Sequence, residues 1–152
     1  MVAIDIELPS GWRNPNREEI TDKWRPEGSG PYLVVKEDFN GDGKVDEARI
    51  LVRNNGQGIG LFVFLSDDNS IRTIQLDSLE GSRWIRIMGI TTAKPGKYKT
   101  ACGKGYGNVK GDEPDVIILR YPGINYFMVE SANSFFHWDE STRSFQRTWI
   151  SD

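Results

Sequence analysis

The chain has 152 residues, the length of one domain with room for a substantial core. Its 38% hydrophobic and 27% charged residues exclude wholesale disorder, and a net charge of −3 excludes the basic surplus of a nucleic-acid binder. No apolar run approaches the ~18–20 residues of a membrane-spanning helix, and a lone cysteine and a lone histidine exclude a disulfide scaffold and a His-rich zinc site.

The first residues, Met1-Val2-Ala3-Ile4-Asp5, contain neither a basic stretch nor a long apolar one, so no signal peptide is expected within this sequence. Two expectations follow: a cytoplasmic protein, or a mature chain of the periplasm or extracellular space. Asn14, Pro15, Glu18 and Glu19 read as the start of one short helix, with a cap, a first-turn proline and acidic residues at the positive end. The helix should run to about Trp24, with Ile20 and Trp24 on one face, and stop before Pro26. A Gly/Pro/Ser stretch over 26–31 then breaks the pattern.

After that the chain reads as strand. Segments 32–36, 47–52, 59–65, 71–76 and 83–90 are rich in branched and aromatic residues and bounded by turn formers. Segments 97–101, 115–121, 125–130, 134–138 and 144–150 continue the series. Links are short, which favours antiparallel hairpins over helical crossovers. Leu61-Phe62-Val63-Phe64 is apolar on both faces and belongs at a sheet centre, whereas Arg49, Leu51 and Arg53 mark a strand with one wetter face. The expected fold is mainly β: a single domain over 1–152, an antiparallel meander of about ten strands in a sandwich or partial propeller, with one short N-terminal helix.

The most specific motif is Asp38-Phe39-Asn40-Gly41-Asp42-Gly43-Lys44-Val45-Asp46, which fits the D-x-[DN]-x-[DN]-G opening of a calcium loop. Calcium takes six to eight oxygens. Asp38, Asn40 and Asp42 supply three at alternating positions, and Gly43 allows the turn that aims the Lys44 carbonyl inward. Asp46, at the ninth position, binds directly or through water. The twelfth position, where an EF-hand has a bidentate Glu, holds Arg49, so affinity is expected to be weak, roughly 10⁻⁴–10⁻³ M. The competing reading is a hairpin turn in which Asp, Asn and Gly merely suit the backbone.

The stretch Phe39 to Asp46, followed by Ala48-Arg49-Ile50-Leu51-Val52, resembles the calcium turn of FG-GAP/VCBS-type repeats. In that family a D-x-N-x-D-G-x-x-D loop ties adjacent strands of a propeller-like blade. The match occurs once, so the resemblance implies the loop chemistry and not a full propeller. The C-terminal residues Phe135 to Asp139 and Trp149 to Asp152 also look like the tail of small bacterial exported proteins with one such loop. Some of these are similar to periplasmic inhibitors of cell-wall hydrolases or to immunity proteins against secreted toxins. The resemblance implies a partner protein but no transferable inhibitory residues.

The remaining candidates are less specific. Ala101-Cys102-Gly103-Lys104-Gly105-Tyr106-Gly107 is glycine-rich but fits neither phosphate-loop pattern, so a surface loop is expected. Lys104 and Tyr106 are the residues to meet a partner's acidic cleft if the loop inserts into one. Cys102 needs a base to act as a nucleophile, and only His137 is available. No spacing singles out an acid/base pair among Glu80, Glu113, Asp115, Glu130 and Asp139. A carbohydrate-binding face would draw on Tyr126, Trp138 and Trp149. The sequence thus points to a non-enzymatic, calcium-stabilised domain that occludes a partner protein's cleft, with a carbohydrate-binding or carbohydrate-active module as the alternative.

Overall fold

A computed structural model describes residues 6–26, 31–105 and 113–151. Strand accounts for 52% of the chain and helical turns for 5%, so the mainly β class holds. The strands are β1 (Trp12–Arg13), β2 (Val34–Glu37), β3 (Asp46–Arg53), β4 (Gly58–Asp67), β5 (Ser70–Glu80) and β6 (Met88–Ala93). They continue as β7 (Gly96–Lys99), β8 (Val116–Leu119), β9 (Gly123–Met128), β10 (Asn133–Asp139) and β11 (Ser144–Ser151).

One sheet runs β1-β3-β4-β5, with β2 also paired to β3; a second runs β11-β10-β9-β6; β7 and β8 form a separate hairpin. Every pairing is antiparallel. Alternate residues of the two larger sheets meet in one core. Ala48, Ile50 and Val52 of β3 and Ile59, Leu61, Val63 and Leu65 of β4 face Ile90, Ile124, Tyr126 and Phe136 of the opposite sheet. Of the two architectures expected, this is the sandwich. β4 is buried on both faces, because Phe62 and Phe64 point the other way into a smaller cluster with Leu51, Trp12, Ile6 and Leu8. The N-terminal segment therefore covers the face of β3 expected to be wet. Arg49 lies over Phe64 and Arg53 over Trp12 at its margin.

Two expectations are corrected. The N-terminal helix is a single 3₁₀ turn, Arg17–Ile20, capped by Asn16 and not Asn14. Asn16 and Glu19 exchange backbone-to-side-chain bonds of 2.9 and 3.1 Å, a capping box. Tertiary contacts prevent a second turn. The Trp24 indole N–H donates to the Arg86 carbonyl, and its ring stacks on Tyr32 at 5.9 Å. Arg25, 6% exposed, donates to the carbonyls of Pro31, Ile85 and Met88. Segment 83–90 is also not one strand: Trp84–Arg86 forms a 3₁₀ turn before β6 begins. The Trp84 indole donates to the Glu80 carbonyl four residues back, which closes that turn.

Candidate metal centre

The loop joining β2 to β3 carries the motif. Its ends are fixed by the sheet, where Glu37 pairs with Asp46, and its middle by the core. Phe39 is fully buried with its ring edge-on to Phe145 at 6.2 Å. Gly41 and Gly43 adopt φ of 73° and 85°, a region that side chains disfavour. At Gly41 there is also no room: a Cβ would stand 2.2 Å from the Tyr121 ring. The Tyr121 hydroxyl donates to Glu140 at 2.7 Å, so the loop is braced against the β10–β11 turn.

Asp38 organises the loop by accepting N–H bonds from Gly41, Asp42 and Gly43 at 2.9, 3.2 and 2.8 Å. Asp42 accepts from the Lys44 amide at 2.9 Å. Asp46, 1% exposed, accepts from Phe39 at 3.0 Å and from Ser66 of β4 at 2.9 Å. Each of the three carboxylates offers an oxygen within 4.8 Å of the others. That span equals about two calcium–oxygen bonds of 2.3–2.6 Å meeting at one ion. A carboxylate has about four lone-pair sites, so every one of the three keeps capacity beyond its backbone bonds. The Asn40 side-chain oxygen is buried and has no hydrogen-bond partner among the described residues. Burying a polar atom unsatisfied costs about 1–3 kcal/mol, and a cation would satisfy it.

Electrostatics favour the same conclusion. Burial pushes the Asp46 carboxyl up to about 6 against the pull of the Ser66 and Phe39 amides, with Asp42 and Asp38 pushing it further. Lys44 does not neutralise the cluster: its ammonium pairs with Asp68 of the β4–β5 turn at 2.6 Å. Arg49, at the twelfth position, is an ion-pair partner of Glu47 and stays on the strand. No helix flanks the loop, as its strand-like surroundings implied.

A cleft of about 340 Å³ opens beside the loop, with Asn40 and Asp42 on one wall and Arg72, Trp138, Glu140 and Arg143 on the others. Sequence reasoning missed the two arginines. They sit on β5 and in the β10–β11 turn, 71 residues apart in numbering, and no local pattern joins them.

The other candidates fall elsewhere. Lys104 donates its ammonium to the Ile150 carbonyl at 3.0 Å, holding its loop against β11; Tyr106 lies outside the described residues. Cys102 faces Asp115 at 3.6 Å, and its thiol is pushed up by burial and by that carboxylate. His137 instead bonds Thr148 at 2.9 Å and is pushed down by burial, so the two do not form a nucleophile–base pair. Tyr126 is 2% exposed and belongs to the core, which removes it from a sugar-binding face. Trp149 is 40% exposed with Arg147 stacked on it. Comparison with protein-family models, with curated proteins and with solved structures gives no match to this chain.

Proposed function

We propose that this chain is a calcium-stabilised β-sandwich that works by binding, in a calcium-rich compartment outside the cytoplasm. The observation that carries the calcium reading is the buried, unpartnered Asn40 oxygen in the same loop as three carboxylates whose oxygens lie within 4.8 Å. Calcium would be held by Asp38, Asn40, Asp42, Asp46 and the Lys44 carbonyl. It would fix the β2–β3 loop and supply a Lewis-acidic point on the cleft wall.

Two kinds of partner compete. Trp138 at the cleft supports a carbohydrate ligand, since an indole face suits a sugar ring. Occlusion of a partner protein, such as a cell-wall hydrolase or a secreted toxin, draws support from Ile118 and Trp149, which are 73% and 40% exposed.

The test of the calcium reading is thermal unfolding with and without calcium, for wild type and Asp42→Ala. At calcium 100-fold above the dissociation constant, wild type should gain about 2.7 kcal/mol, or roughly 5–11 °C. The Asp42 carboxylate is exposed and among the described residues bonds only the Lys44 amide, so its loss should leave the calcium-free protein nearly unchanged and abolish the gain. Equal melting with and without calcium would reduce the loop to an acidic turn.

A further inference from the structure

We propose that the cleft beside the loop binds the carboxylate of an acidic sugar residue, held between loop-bound calcium, Arg72 and Arg143, with Trp138 against the ring. The proposal rests on the calcium reading and names the ligand class of that site.

Four observations converge on it. The loop has no twelfth-position carboxylate, and Arg49 in that place is turned to Glu47 and the Phe64 ring. Calcium seeks six to eight oxygens, so a ligand oxygen has a coordination position to fill. Second, Asn40 and Asp42 belong both to the ligand set and to the cleft wall, which places that position on the cleft side. Third, the cleft holds two guanidinium groups with no carboxylate partner among the described residues. Of the other charged walls, Lys44 pairs with Asp68, Glu140 accepts from Tyr121, the Asp42 carboxylate belongs to the loop, and the Asp67 carboxylate accepts from the Asp68 amide. A guanidinium fork matches a carboxylate in bidentate geometry. Fourth, Trp138 is half-buried, its inner edge packed on Phe145 at 5.3 Å, and it reaches the cleft. About 340 Å³ lies at the small end of ligand sites, the scale of a sugar unit and not of a large chain segment.

Arg143 adds a further clue. It holds a φ of 51° at the β10–β11 turn, where glycine would be more stable by about 1 kcal/mol. Retaining a long cation there fits a role for its side chain in the cleft.

The test is calorimetric titration of a short oligoglucuronate, and of its neutral glucose counterpart, into the full chain with calcium and without it. A blank titration of each sugar into calcium buffer is subtracted. Expected is binding of the uronate only, and only with calcium. Arg72→Ala and Arg143→Gly should each weaken it at least tenfold while keeping the calcium-induced rise in melting temperature. Arg143→Gly relieves its backbone and so cannot lose binding by failing to fold. Several outcomes overturn the proposal: uronate binding that persists without calcium, equal binding of the neutral sugar, or no uronate binding by a protein that calcium still stabilises. Binding of an acidic peptide in place of the uronate would reassign the cleft to a protein partner. Absence of any stabilisation by calcium would instead remove the calcium reading itself.

Discussion

The buried Asp46 carboxylate makes the calcium-free protein acid-sensitive in an unusual direction. Its folded pKa is about 6 against 3.8 for the free group, chiefly through burial. The folded state therefore binds a proton more tightly than the unfolded state, and stability falls as pH rises through that window. About two units of difference correspond to about 3 kcal/mol, fully present only below pH 3.8 and lost above 6. Between pH 7 and 5 the Asp46 carboxyl contributes about 1 kcal/mol of added stability on acidification, or roughly 2–4 °C in melting temperature. It is opposed by His137, whose buried ring resists protonation, so that its share of stability falls over the same range. Calcium bound as proposed should reverse the sign, because protons would compete with the ion for the same oxygens. Scanning calorimetry of calcium-free and calcium-saturated protein across pH 5–7 should give two curves that converge as pH falls. Calcium binding at pH 6 should also release about half a proton from Asp46, read from titrations in buffers of different ionisation enthalpy. Parallel curves and no proton release would mean that Asp46 is not a buried, raised carboxyl that gives up its proton to the ion.

Gly41→Ala and Gly43→Ala form a matched pair. Both glycines have left-handed backbone, but only Gly41 meets the Tyr121 ring. Denaturant unfolding should show about 1 kcal/mol lost at Gly43 and at least twice that at Gly41, where calcium affinity should fall as well. Tyr126→Phe should stabilise the protein by about 1 kcal/mol. Burial and neighbouring Asp77 raise that phenol, yet among the described residues its hydroxyl has no hydrogen-bond partner. A loss above 1 kcal/mol would show instead that the hydroxyl is bonded to Asp77. Arg25→Ala should cost about 3 kcal/mol, since it strands three carbonyls that the guanidinium now satisfies. An effect under 1 kcal/mol in urea melts would refute that role.

Strand periodicity made most of the fold legible, because branched and aromatic runs bounded by Gly, Asn and Asp leave few alternatives. β1 escaped because two residues, Trp12 and Arg13, carry no period. The helix expected to Trp24 and the strand expected from Arg83 failed for one reason. The Trp24 indole and Arg25 guanidinium of the first segment donate to the carbonyls of Ile85, Arg86 and Met88 in the second, and those bonds outweigh local propensity in both. The β2–β3 loop was legible as a turn between strands, and its spacing does bring oxygens of Asp38, Asp42 and Asp46 within 4.8 Å of one another. The cleft was not, since Arg72, Trp138 and Arg143 meet only after the sheets pack.

The brace from Gly41 through Tyr121 to Glu140 bears on how long the molecule lasts rather than on how it forms. It unites the β2–β3 loop with the β8–β9 connection, 80 residues on, and with the β10–β11 turn, 19 residues beyond that. Closing contacts of that separation carries a large entropic cost, so an ion whose loop they brace should act mainly on the native side of the barrier. Its stabilisation falls instead on the way out: calcium should slow unfolding while leaving refolding nearly unchanged. If the loop holds calcium as proposed, in a medium rich in the ion and in proteases the domain would endure in proportion to the ion around it.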